Sequence, residues 1–147
     1  MSYHEKQSIA AIVSNLVIWT IYAWIMVGRF PDGGASPEIF RFWGRAFLIL
    51  IPVMIVARII TTIIFVASNT IATGEEVPSI SDERDKLIEL RGLRMSYYGF
   101  IAGFMGAMAA LAFGATPNVM FLIIAGAMVG SDILEEITKF RLYRRGF

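Results

Sequence analysis

Four apolar stretches, at about residues 9–27, 46–67, 95–115 and 119–137, are each long enough to cross a lipid bilayer, and nothing else restricts the fold as strongly. Nineteen helical residues rise roughly 28 Å, close to the thickness of a bilayer's hydrocarbon layer. A segment in that layer must satisfy its own backbone hydrogen bonds, which points to helices. The expected class is all-α: an integral membrane four-helix bundle in one domain, residues 1–147. A soluble domain of this size has too little interior to hide a chain that is 56% hydrophobic, with a mean hydropathy of +0.64. Lipid is the solvent for its outer faces.

The first stretch, Ile9 to Val27, carries only Ser14, Asn15 and Thr20 as polar groups, and crowds Trp19, Tyr22 and Trp24 into its second half. It reads as a retained helix, because Lys6 is a thin basic flank and no small-x-small cleavage pattern follows. A turn follows from Gly28 to Ser36. Ser36, Pro37 and Glu38 then form a helix-start signal. Phe40, Phe42, Trp43 and Phe47, mixed with Arg41 and Arg45, suit entry through the headgroup layer. Pro52 and Arg58 lie within the second span.

Ser68 to Ser81 reads as a loop, and residues 68–94 as a cytoplasmic segment. From Asp82 the chain turns helical again. Asp82, Glu83 and Asp85 suit the positive end of a helix dipole, and Asp82 with Lys86 makes an i,i+4 pair. Only Gly92 interrupts the run into the third span, so that span carries a cytoplasmic extension. Thr116, Pro117 and Asn118 then form a tight turn into the fourth span. Orientation follows from the basic residues. Lys6, Arg84, Lys86, Arg91, Arg94, Lys139, Arg141, Arg144 and Arg145 share one side, against Arg29, Arg41 and Arg45 on the other. The positive-inside rule puts both termini in the cytoplasm of a cell-membrane protein.

Arg58 is the sharpest polar feature, roughly 15 Å deep. A cation there costs on the order of 3 kcal/mol unless it snorkels or is paired. Asp132 in the fourth span lies at a similar depth, which suggests an Arg58–Asp132 pair. Asp132, Glu135 and Glu136 share one broad helical face and form an acidic cluster, a candidate for a proton or a hard cation. The plainer reading gives Glu135 and Glu136 to Lys139, Arg91 or Arg94. Gly99, Gly103 and Gly106 in the third span, and Gly126 and Gly130 in the fourth, permit close helix packing, with homo-oligomerisation as the competing use.

Chemistry is harder to find. The chain has no cysteine and one histidine, His4, which excludes thiolate and two-histidine metal sites. No catalytic residue set, metal site or cofactor motif is expected, and the chain does not read as an enzyme. The basic tail, interleaved with Phe140, Leu142 and Tyr143, suits anionic headgroups better than nucleic acid. The segment Ser81-Asp82-Glu83-Arg84-Asp85-Lys86-Leu87-Ile88, leading into Ser96-Tyr97-Tyr98-Gly99-Phe100, resembles a family of small, uncharacterised multi-pass membrane proteins of bacteria and archaea. That resemblance carries no activity with it. It implies that Asp82, Glu83, Arg84 and Asp85 belong to an interaction or assembly element. The expected function is a non-catalytic membrane protein: a scaffold, an accessory subunit, or a partner of a cytoplasmic regulator. The alternative is a small dimeric transporter coupled to a proton or cation through Asp132.

Overall fold

The computed structural model describes residues 3–29, 37–73 and 82–145. They form four helices: α1 (Tyr3–Val27), α2 (Pro37–Thr73), α3 (Glu83–Ala112) and α4 (Pro117–Arg145). All four are long and apolar enough to cross a membrane, and the protein is a multi-pass, all-α bundle. Ser36, most of the first turn, and residues 74–81 lie outside the described residues.

Two boundaries differ from the sequence expectation. α2 runs on to Thr73, so residues 68–73 are helix and not loop. No glycine or proline occurs between Pro52 and Gly74, and nothing before Gly74 stops the helix. Pro52 sits inside α2 without ending it. At 37 residues, α2 is about 55 Å long against roughly 30 Å of hydrocarbon, so it projects well beyond the bilayer core. The third turn also falls earlier than expected. α3 closes at Ala112, and the amides of Gly114 and Ala115 donate to the carbonyls of Leu111 and Ala110 at 3.0 and 2.9 Å. That is a Schellman cap, and Gly114 takes its left-handed position with φ of 92°. Pro117 then opens α4 at the position where a missing amide costs nothing.

Asp82 is the N-cap of α3. Its carboxylate accepts from the Glu83 amide at 2.7 Å, and it caps the helix instead of pairing with Lys86. The helices alternate in direction, which brings both chain ends to one end of the bundle, here the terminal end. The turns closing α1 to α2 and α3 to α4 lie at the loop end. α4 is central and touches the other three helices. α1 packs on α2 and α4, and α3 packs on α4 alone.

The α3–α4 contact is close because its residues are small. A side chain at Gly103 would run into Ala127, and one at Gly99 would meet Leu134 at 3.0 Å. Gly92, which reads from sequence only as a breaker, lies against Lys139 and Glu135 in the same seam. With Ser96 and Ala107 it completes a face at helical spacing. Gly106, Gly126 and Gly130 face open space and take no part in this packing.

At the loop end the buried face of α2 is Ile39, Trp43, Ala46 and Leu50, spaced four, three and four residues apart. Ile39, Trp43 and Ala46 form a core with Tyr22, Met26, Phe47 and Phe121 packed around them. Trp43 stacks on Phe121 with ring centres 5.4 Å apart, and its indole donates to the Asn118 side chain at 2.8 Å. The Tyr22 hydroxyl donates to the Ala46 carbonyl at 2.6 Å. Trp43 therefore serves the core.

Candidate polar site at the terminal end

Towards the terminal end, the contacts between helices change from apolar to polar. Ser14 on α1 and Thr61 on α2 share a hydrogen bond of 2.6 Å, and Thr61 can also donate back to the Ala57 carbonyl at 2.8 Å. One turn from Thr61, Arg58 reaches Glu136 on α4 at 3.5 Å. Glu136 is only 5% exposed and also receives Lys139 at 3.3 Å, while Lys139 bonds Glu135 at close range. Glu136 thus sits between two cations, and the node joins α2 to α4.

This corrects the expected Arg58–Asp132 pair: the partner of Arg58 is Glu136. The reason lies in the reach of the side chain. An arginine in a membrane extends towards the nearer headgroup layer, and Glu136 is one helical turn closer to that layer than Asp132. The Arg58 side chain is 60% exposed, so it holds the node from its rim. Asp132 feels the charge of Arg58 but makes no ion pair with it. The acidic cluster accordingly divides. Glu135 and Glu136 turn to Lys139, and Asp132 stands apart from them. Among the described residues, no three histidine, cysteine, aspartate or glutamate side chains gather as metal ligands.

Two cavities adjoin the node, with Asn15 and Arg58 in the walls of both. One, of about 150 Å³, lies among Ser8, Ser14, Thr61, Glu136 and Lys139. The other, of about 270 Å³, lies deeper, among Trp19, Met54, Met128 and Asp132. In the sequence Trp19 stands out only as one of three aromatics in the second half of the first stretch. Here it is 8% exposed, and its indole N–H meets no acceptor among the described residues. A third cavity, of about 420 Å³ at the loop end, brings Arg29, Arg41 and Arg45 together with Glu38 and Phe42.

The charged segment before the third span is partly used inside the chain. Asp82 caps α3, and Asp85 bonds the Tyr143 hydroxyl on α4. Glu83 and Arg84 remain exposed. The plainer reading of Glu135 and Glu136 as partners of Lys139 matches the structure, whereas the contact of Glu136 with Arg58 and the burial of Trp19 were missed. Their signal was positional: Asn15 and Trp19 are four residues apart, as are Asp132 and Glu136, so each pair shares a helix face. Comparison with family models, curated proteins and solved structures finds no match to this chain.

Proposed function

We propose that this protein is a non-catalytic accessory subunit of a membrane complex, with both termini in the cytoplasm, that holds a partner helix along the outer face of α3. One observation carries the reading. Leu87, Leu90, Arg94, Tyr97, Ile101 and Phe104 follow one another at alternating steps of three and four residues, and all are exposed. They lie nearly opposite the face that packs on α4. Such spacing is the seam of a helix pair.

Within the bilayer lipid would cover such a seam equally well, but the seam continues past it. Leu90 and Leu87 precede the third apolar stretch by five and eight residues, or about 7 and 12 Å of helix. The headgroup layer is only about 5–7 Å deep on each side. Leu87, 48% exposed, therefore projects towards water unless another chain covers it. The basic residues that share this end of the bundle support the cytoplasmic orientation.

The absence of cysteine provides a clean test. A Leu90→Cys chain in native membranes, labelled with a maleimide-benzophenone and irradiated so that the benzophenone inserts into a neighbouring C–H bond, is expected to give one discrete adduct with a different polypeptide. A cysteine at Ile88, buried against α4, is expected to give none. Leu87→Glu with Leu90→Glu is expected to release the partner in mild detergent while melting is unchanged, since each covered leucine contributes about 1.5–3 kcal/mol. A Leu90→Cys chain that captures no other polypeptide, or only a second copy of itself, overturns the accessory-subunit reading.

A further inference from the structure

The loop-end cavity between α1 and α2 gathers three guanidinium groups from two helices. Arg29 follows the last turn of α1, where its amide donates to the Met26 carbonyl at 2.9 Å. Arg41 and Arg45 are one turn apart on α2 and line the same cavity. Among the described residues none of the three makes an ion pair, although Glu38 shares the wall. Within residues 28–46 the only other charge is Asp32, so three arginines stand against two carboxylates. One positive charge is left over.

Depth and shape decide what can meet that charge. Arg29 stands two residues beyond the first apolar stretch. Arg41 and Arg45 stand five and one before the second, or about 7 and 2 Å of helix. All three therefore sit at headgroup depth, the level of lipid phosphates. Deeper in, the lining turns apolar. Met26, Phe42 and Ala46 form a floor that is fixed by the core around Trp43. Ile49, one turn past Arg45 and 53% exposed, carries the same wall into the apolar stretch. The lining thus changes from guanidinium to hydrocarbon along one face of α2, at the level where acyl chains begin. At about 420 Å³ the cavity lies within the roughly 300–1,000 Å³ usual for ligand sites. A free inorganic anion would use the arginines and leave the apolar wall bare.

We infer that this cavity holds one anionic phospholipid, its phosphate gripped by Arg29, Arg41 and Arg45 and an acyl chain lying along Met26 and Ile49. Guanidinium forks match phosphate oxygens two at a time, which the point charge of a lysine does not. The surplus positive charge selects against phosphatidylcholine, whose own ammonium cancels the charge of its phosphate. A lipid held there ties the end of α1 to the start of α2. The inference depends neither on the α3 seam nor on which side of the membrane the loop end faces.

The test reconstitutes the full chain in vesicles of phosphatidylglycerol and phosphatidylcholine, in equal amounts and with the same acyl chains. The protein is extracted in mild detergent and washed, and the lipid retained per chain is counted by mass spectrometry. A single phosphatidylglycerol is expected to stay with each chain, with phosphatidylcholine at least about fivefold rarer. Arg41→Gln with Arg45→Gln is expected to lower that retention at least about tenfold. Arg29→Gln alone should lower it about fivefold, the worth of one basic residue beside an anionic headgroup. In detergent without lipid, these variants are expected to melt as the unaltered chain does. Should the double variant fail to fold, Arg29→Gln, which lies outside the helices, carries the same test. Arg141→Gln with Arg144→Gln, at the terminal end, is expected to keep the lipid. Equal retention of the two lipids, or of neither, overturns the proposal. So does a phosphatidylglycerol that the loop-end variants keep and the tail variant loses. If inorganic phosphate in the wash strips the lipid while sodium chloride of equal ionic strength does not, the site belongs to a free anion and the lipid assignment fails.

Discussion

The two ends of this bundle are held together by different physics. At the loop end, α2 meets α1 and α4 through Ile39, Trp43, Ala46 and Phe121, with the Tyr22 hydroxyl and the Trp43 indole each donating to a neighbouring helix. At the terminal end the same helices meet through Ser14, Thr61, Arg58 and Glu136, with cavities beside them. Lipid tails are as apolar as leucine, so no hydrophobic force drives helices together inside a bilayer. Close packing and aromatic contact must do it at the loop end. The terminal end trades some of that packing for polar groups that join the helices directly.

The comparison breaks most readily at the loop end. Trp43→Ala removes the stacked ring, the bond to Asn118 and the centre of the core, and should lower stability by about 3 kcal/mol. Reversible unfolding in mixed bicelles, followed by circular dichroism, would measure it. A loss below about 1 kcal/mol would mean that the loop end is not the stronger clamp. Next comes the seam that both ends share. Gly103→Leu drives a side chain into the Ala127 backbone and methyl, and should cost about 2 kcal/mol by the same measurement. Gly106→Leu, which meets nothing, should be neutral and serves as the control.

Much of this was readable from the amino acids, and the limit has a physical cause. Four spans stand out because only long apolar runs satisfy a bilayer, and Asp82 stands out because a cap is a local device. Which face of a span is buried is harder. In α2, Leu50 is buried, while Leu48, Ile49 and Ile51 beside it are exposed. In water a polar face would distinguish them, but a helix that is apolar all round gives no such contrast. The same gap hid the partner of Arg58. Depth along each helix can be counted, so Asp132 and Arg58 were placed near one level. The offset between α2 and α4 depends on tertiary packing, and it selected Glu136, one turn further on.

That selection sharpens the comparison through an asymmetry. Glu136 is enclosed and serves two cations, whereas Arg58 stands at the rim with most of its side chain exposed. Glu136→Gln should therefore cost about 1.5 kcal/mol, because it leaves two positive groups facing a neutral amide in a partly dry site. Arg58→Leu should cost less than about 1 kcal/mol, the modest worth of an exposed ion pair. Bicelle unfolding of the two variants side by side is the check. The opposite order would mean that Arg58, not Glu136, anchors the node.

The smallest effect belongs to the Ser14–Thr61 bond, and it tests how the terminal end is built. Thr61 has a second acceptor in the Ala57 carbonyl, so Ser14→Ala leaves its hydroxyl satisfied. Interhelical hydrogen bonds in membranes average only about 0.6 kcal/mol, because the separated helices find other partners for the same groups. A double-mutant cycle with Ser14→Ala and Thr61→Val should return a coupling near that value. Were the coupling about 2 kcal/mol or more, the bond would rank with the packing around Trp43, beyond the largest values of roughly 1.7 kcal/mol known for such pairs. The terminal end would then be as firmly clamped as the loop end. A weak coupling leaves the loop end as the firmer clamp.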